Sequence, residues 1–270
     1  MSEHRALDAI LQPGGITPVF QPICVVKSDW KVASLECLSR GPKGTNFESA
    51  NVLFDYVRLK REETLVDRAC INTALAAAQN FPSDLHLGIN VHASTLGRDP
   101  GFAEFLRCAA ELNGIAMHRL TIEVVEHAPP WDGVSFLSML DRLRALGTRI
   151  ALDDVGLGQS NFKMLLDVRP DFMKIDRYFV DACASDPNRQ AVIEVVTRLA
   201  QRFGASVVAE GVEDEETVEA LQQLGITLMQ GFYFSVPLEA HEVREKFRSA
   251  AATPPLFDRE TKAVALPPHS

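Results

Sequence analysis

Short apolar runs recur along this chain, and each gives way to a polar or charged residue. Trp30-Lys31-Val32-Ala33-Ser34-Leu35 leads into Glu36-Cys37-Leu38, and Leu87-Gly88-Ile89 into Asn90. Leu120-Thr121-Ile122 leads to Glu123, and Ile150-Ala151-Leu152 to the pair Asp153-Asp154. Phe172-Met173, Val207-Val208-Ala209 and Thr227-Leu228-Met229 are followed by Lys174, Glu210 and Gln230. The pattern predicts strands at 17–23, 31–36, 86–91, 119–124, 149–153, 171–175, 205–209 and 226–230. Helix-period stretches lie between them, at about 49–81, 100–113, 133–146, 160–166, 188–203, 215–224 and 240–250. Gly114, Gly147, Gly204 and Gly225 stand where helix stops are expected.

The first two strands have no room for a helix between them, so they are expected to pair antiparallel. The remaining alternation of strand and helix indicates βα units and a parallel sheet. Eight strands favour closure over an open sheet, which gives a TIM-like (β/α)8 barrel with one antiparallel strand near the N-terminus. Residues 1–250 are expected to form this single domain. Residues 251–270, with Pro254-Pro255 and Pro267-Pro268, read as a disordered or loosely docked tail.

Composition narrows the function. A chain of 270 residues can hold one such barrel, which needs roughly 250. A formal net charge of −9 argues against a groove for polymeric nucleic acid, which would show a basic face. It does not exclude a small phosphorylated ligand, because bound metals invert local charge. No apolar run is long enough to span a membrane and no signal peptide is read, so a cytoplasmic protein is expected. The scattered cysteines Cys24, Cys37, Cys70, Cys108 and Cys183 lack CxxC spacing and fit reduced thiols.

One polar group per strand end suggests a shared rim, where parallel barrels build active sites. Carboxylates crowded there repel one another unless they hold cations, which points to divalent metal chemistry. Any one position has a plainer reading: an Asp after a strand often caps a helix, and Lys174 could complete a buried ion pair. Asp153 and Asp154 are adjacent and reach one site only if the strand ends between them, as Gly156 and Gly158 suggest. Asp176 could orient Lys174 or cap the next turn. The run Glu213-Asp214-Glu215-Glu216 suits a helix start. His92, His118 and His127 show no paired metal-ligand spacing and read as surface or supporting residues.

At these residues the chain resembles the EAL family of cyclic di-GMP phosphodiesterases, over about 17–240. Phe20-Gln21-Pro22-Ile23 resembles the family's opening strand, and Glu36-Cys37-Leu38 with Arg40 its Glu-Ala-Leu-x-Arg signature. Asn90 lies in the Asn-containing strand, and Glu123-Val124-Val125-Glu126 resembles Glu-Ile-Thr-Glu. Asp153-Asp154-Val155-Gly156-Leu157-Gly158, Lys174-Ile175-Asp176, Ala209-Glu210-Gly211-Val212-Glu213 and Gln230-Gly231-Phe232-Tyr233-Phe234 follow in the family's order.

The resemblance implies a cyclic-guanylate-specific phosphodiesterase that opens cyclic di-GMP to linear pGpG with two Mg²⁺ or Mn²⁺ ions. Carried over by motif, Glu36, Asn90, Glu123 and Asp153 hold the first ion. Asp153 and Asp154 hold the second, with Glu210 as ligand or water-positioning base, and Lys174 orients the water or stabilises charge. Gln21, Leu38, Arg40 and Gln230 resemble substrate contacts, and Glu126 the glutamate that anchors the loop after the aspartate pair. A homodimer is open.

That loop departs from the family's Asp-Asp-Phe-Gly-Thr-Gly-Tyr-Ser-Ser. Here it reads Asp153-Asp154-Val155-Gly156-Leu157-Gly158-Gln159-Ser160-Asn161. The alternative reading is therefore a cyclic di-GMP receptor that binds with little or no hydrolysis.

Overall fold

Eight strands close into one barrel in chain order. The computed structural model describes residues 3–27, 30–125, 133–157 and 162–247. Glu126, His127, the loop 158–161 and the tail 251–270 lie outside the described residues. Strand β1 (Thr17–Val26) pairs antiparallel with β2 (Trp30–Arg40) and, at the closing seam, with β8 (Leu228–Met229). Strands β3 (His86–His92), β4 (Leu120–Val125), β5 (Arg149–Leu152), β6 (Phe172–Ile175) and β7 (Ser206–Ala209) continue from β2 to β8, every pair parallel. The expected barrel with one antiparallel strand is what forms.

The helices are α1 (Glu3–Leu11), α2 (Ala50–Lys60), α3 (Glu63–Ala78), α4 (Ala93–Arg98), α5 (Phe102–Leu112) and α6 (Gly133–Ala145). They continue with α7 (Phe162–Val168), α8 (Arg177–Val180), α9 (Pro187–Phe203), α10 (Glu215–Gln223) and α11 (Ala240–Lys246). Start and stop chemistry explains several ends. Asp186 caps α9 ahead of Pro187, and Gly204 closes it at φ 67°. Asp214 accepts from Thr217 N at the start of α10, so the acidic run there is helix-start chemistry.

Three expectations need correction. The helix expected over 49–81 is two helices, broken where Arg61 turns left-handed at φ 59° and its N–H donates to Arg58 O. No glycine marks that break. Helices α1, α4 and α8 were not expected; each is only a few turns or less, too short to show a clear period. Strand β2 does not close at Glu36 but runs on to Arg40, because β1 offers partners as far as Thr17, opposite Arg40.

Two apolar layers hold the barrel. Outward side chains such as Leu35, Leu87, Ile89, Ile122 and Leu152 are buried against the helices. Inside, Ile23, Val25, Ala33, Ala151, Phe172, Val208 and Leu228 plug the N-terminal half. The other half of the interior is left to polar side chains. Among the described residues, no helix is long and apolar enough to cross a membrane.

Candidate active site

The barrel's parallel strands all deliver their C-terminal ends to one mouth. Glu36 (β2), Asn90 (β3), Glu123 (β4), Lys174 (β6) and the residues just past β5 and β7, Asp153 and Glu210, meet there. Lys174 Nζ lies 2.6 Å from Glu123 Oε2 and from Glu210 Oε1, and 3.4 Å from Glu36 Oε2 and Asp153 Oδ1. Glu123 Oε2 and Glu210 Oε1 nonetheless make no well-directed hydrogen bond, so these contacts match in charge but not in direction. Lys174 is thus both the ion-pair partner and the centre of the site. Its side chain is 2% exposed.

The electrostatics follow from four carboxylates around one ammonium, with Asp154 beside them. Burial opposes charge on Lys174, but Asp153, Glu123, Glu210 and Glu36 outweigh it and hold its pKa well above the usual value. Burial lifts Glu123 to about 8, with Glu36 and Asp153 adding repulsion against the pull of Lys174. Burial likewise raises Glu210 well above the carboxylate range. Asp154 rises to about 6 through burial and the neighbouring Asp153 and Asp176. Burial also pushes Glu36 up, but Lys174 and the hydrogen bonds from Asn90 and Gln230 win and hold it low. One lysine therefore cannot keep all these carboxylates ionised, and without further cations Glu123, Glu210 and Asp154 are driven toward their protonated forms.

Backbone geometry sets these groups. Asp154 adopts φ 51°, a left-handed turn that Asp tolerates better than most residues. The turn lets the adjacent aspartates serve one site: ligand oxygens of Asp153, Asp154 and Glu210 lie within 4.8 Å of one another. Gln230 is fixed by its N–H to Ala209 O and by Val212 N–H on its own carbonyl. Its side chain donates to Glu36 Oε2 at 2.8 Å and to Gln21 Oε1 at 3.2 Å, while Gln21 donates to Ser235 O. Asn90 donates to the other Glu36 oxygen at 2.7 Å. Asp176 does not touch Lys174; it caps α8 by accepting from Tyr178 N.

Two cavities meet at Glu36 and Leu38. One, of about 300 Å³, runs past Arg40, Asn90, Asp153 and Asp154 toward α2. The other, of about 260 Å³, is bordered by Gln21, Glu210, Gln230 and the exposed Phe232. Arg40 reaches the first cavity, where its Nη1 donates to Ser39 O. Glu126 lies outside the described residues.

Sequence reasoning missed two contributors. Gly88 is an apparent strand residue whose missing side chain makes room for Glu123. His92 is not at the surface: it is buried against Asp67, a charged residue on the otherwise apolar face of α3, which was the available signal.

All the cluster's donors are carboxylate or carboxamide oxygens, the set that suits hard divalent cations, and such cations would let the crowded carboxyls ionise together. These residues fit the divalent ions that the motifs imply. The fold and mouth define an acidic (β/α)8 barrel built to hold cations beside a two-lobed cleft. This chain matches the EAL domain over residues 4–237 and belongs to that family. It is 36% identical over 244 residues to the probable cyclic di-GMP phosphodiesterase PdeG of Escherichia coli (strain K12), covering 87% of this chain and 47% of that protein. The chain thus spans about half the length of that relative. The structure of the EAL enzyme Bd1971 in its cAMP- and cyclic-di-GMP-bound form superposes with TM-score 0.82 at 25% identity, covering 91% of this chain and 68% of that one. BlrP1 of Klebsiella pneumoniae, solved as a manganese/cyclic di-GMP complex at pH 6, gives TM-score 0.73 at 29% identity over 84% of this chain and 57% of that one.

Proposed function

We propose that this chain is a divalent-metal-dependent phosphodiesterase that hydrolyses cyclic di-GMP to linear pGpG. The observation that carries the reading is the convergence of Glu36, Glu123, Asp153 and Glu210 on Lys174, with Asn90 bonded to Glu36, where the two cavities join. Each cavity suits one nucleoside half of a cyclic dinucleotide, which sets a phosphate over Glu36. Relatives named as cyclic di-GMP phosphodiesterases and an EAL structure holding manganese with this nucleotide support the substrate and the metal class.

Glu36, Asn90, Glu123 and Asp153 would hold one Mg²⁺ or Mn²⁺, and Asp153, Asp154 and Glu210 would hold a second. Such ions supply an acidified water and neutralise charge on the reacting phosphate. Glu210 holds the water and takes its proton, and Lys174 stabilises the charge that develops on phosphate oxygens. Water oxygen bonds to phosphorus, the P–O3′ bond breaks, and the freed 3′ oxygen takes up a proton. Gln230, itself held by Gln21, orients Glu36; both glutamines border the second lobe, Leu38 lines both lobes, and Arg40 suits a phosphate.

A second reading is favoured by the residues after Asp154. Val155 is 3% exposed, packed in the core where the family motif has a larger Phe, and Leu157 lacks the family's hydroxyl. A looser aspartate turn would keep nucleotide binding while slowing hydrolysis. Purified protein incubated with Mn²⁺ and cyclic di-GMP, followed by chromatography, tests both. Accumulation of pGpG supports the enzyme; binding without product supports the receptor; neither would overturn the substrate assignment.

A further inference from the structure

The second lobe, of about 260 Å³, is lined by three carboxylates, Glu36, Glu210 and Glu213, and among the described residues by a single cation, Arg177 at the start of α8. Two contacts set that arginine at the mouth. Its stem lies on Gly211, which turns at φ 71°: a Cβ there would stand 2.5–3.0 Å from Arg177 Cβ, Cγ and Cδ, so only a glycine lets the stem pass. Its Nη2 then lies 2.8 Å from Glu213 Oε1, its one ion-pair partner among the described residues. Glu210, Gly211 and Glu213 belong to one loop after β7, so the arginine joins that loop to α8. The Arg177 side chain is still 56% exposed, which leaves guanidinium N–H groups open to the lobe.

Nothing in the proposed chemistry uses this arginine. A cyclic dinucleotide has two phosphates, and only one can lie over Glu36. The other, across the macrocycle, brings a second negative charge into the cleft. The first lobe offers Arg40 and Arg58 to an anion, whereas in the second an anion would meet carboxylates alone were it not for Arg177. We propose that Arg177 binds the non-reacting phosphate of the cyclic dinucleotide; the inference rests on the cyclic di-GMP reading above. A planar guanidinium can give two parallel N–H bonds to a phosphate, and Glu213 holds it at the lobe until the phosphate competes for it. An ion pair this exposed adds little to stability, so recognition and structure separate in experiment. Arg177 is a substrate-binding residue; it does not touch the scissile bond.

The test measures equilibrium affinity of the full chain for cyclic di-GMP at saturating Ca²⁺, with kcat and KM in Mn²⁺ beside it. Arg177→Met keeps an unbranched stem on Gly211 and removes the charge. It should weaken binding and raise KM by about fivefold or more while kcat stays within about twofold. Arg177→Lys should recover part of the loss. Glu213→Gln removes the carboxylate that competes for the guanidinium, so it should bind the nucleotide at least as tightly as wild type. Equal losses in Glu213→Gln and Arg177→Met would mark a structural pair and overturn the inference. No loss in Arg177→Met, or a fall in kcat with KM unchanged, overturns it too. The second probe is a cyclic di-GMP analogue with one phosphate replaced by an uncharged methylphosphonate, whose remaining phosphate can still lie over Glu36. Wild type should bind it about fivefold or more weakly than cyclic di-GMP, and Arg177→Met should bind the two within about twofold of each other. Equal affinity of wild type for both overturns the inference without any variant having to fold. If wild type binds cyclic di-GMP but these contrasts fail, only the Arg177 assignment falls. If wild type does not bind cyclic di-GMP, the substrate reading falls with it.

Discussion

Gly88 on β3 and Glu123 on β4 share one space: a Cβ built on Gly88 would lie 1.8 Å from Glu123 Oε1. Glu123 cannot swing aside cheaply, because its carboxylate is nearly fully buried and pinned at 2.6 Å by Lys174. Gly88→Ala should therefore push Glu123 out of the cluster. We expect hydrolysis to fall by two orders of magnitude or more, with a loss of about 1–3 kcal/mol in stability from overpacking. Turnover in Mn²⁺ and a urea titration check this together. Normal turnover would mean that Glu123 is not needed where it stands.

Lys174 supplies the cluster's only close cation among the described residues, so its removal separates charge balance from packing. Lys174→Met keeps much of the side-chain volume but leaves Glu36, Glu123, Asp153 and Glu210 facing one another. Uncompensated buried charge of this kind costs about 3–5 kcal/mol. The metal-free variant should melt well below wild type at pH 7.5, and added Mn²⁺ should raise its Tm more than it raises that of wild type. Hydrolysis should be lost even where Mn²⁺ restores the fold. Calorimetric scans with and without metal check this, and an unchanged metal-free Tm would show that the lysine is not the balancing charge.

Much of this fold was legible because barrel strands announce themselves twice, by apolar runs and by the residue that ends each run. Glu36, Asn90, Glu123 and Lys174 could be placed on one rim for that reason, since strand alternation fixes facing. What stayed hidden depends on contacts between distant segments. Gly88 looks like any strand glycine until Glu123 is set beside it. The break at Arg61 has no glycine to announce it, because the arginine itself takes the left-handed cap and closes the helix on Arg58 and Val57 carbonyls. His92 and Asp67 are 25 residues apart, and only the docking of α3 on β3 makes them a pair. The aspartate turn was suggested by its glycines, but the left-handed residue turned out to be Asp154 itself.

The N-terminal end of the barrel carries its own pH dependence. His86 is buried beside Arg149, which donates to its Nδ1 at 3.0 Å. Burial, with the positive Arg149, Arg119 and His118, lowers its pKa from 6.5 to about 4. The folded state thus favours the neutral ring, so its contribution is fully present above about pH 6.5 and is lost as pH falls toward 4. On that basis His86 should remove on the order of 2 kcal/mol across this window. In His86→Gln the slope of stability between pH 6.5 and 4 should be shallower than in wild type. The comparison, by denaturant titration at several pH values, cancels the carboxylates common to both proteins. Parallel slopes would exclude His86 as a source of acid sensitivity.

The aspartate turn decides between enzyme and receptor. Val155 N–H donates to Lys174 O at 3.0 Å, so the turn carrying Asp153 and Asp154 is tied to the strand that carries the central lysine. A smaller side chain at Val155 and an apolar one at Leu157 remove support that the family motif supplies with Phe and Thr. If that support holds the second ion, turnover should be low in Mg²⁺, which demands near-ideal octahedral geometry, and higher in Mn²⁺. The triple change Val155→Phe, Leu157→Thr and Gln159→Tyr should raise kcat severalfold while shifting nucleotide Kd much less, because the gain falls on the transition state. Some stability will be lost, since Phe must be fitted into a closed core. The decisive measurement is kcat and Kd for both proteins in each metal. A triple variant that binds cyclic di-GMP as wild type does and turns over no faster in either metal would show that this turn does not limit catalysis.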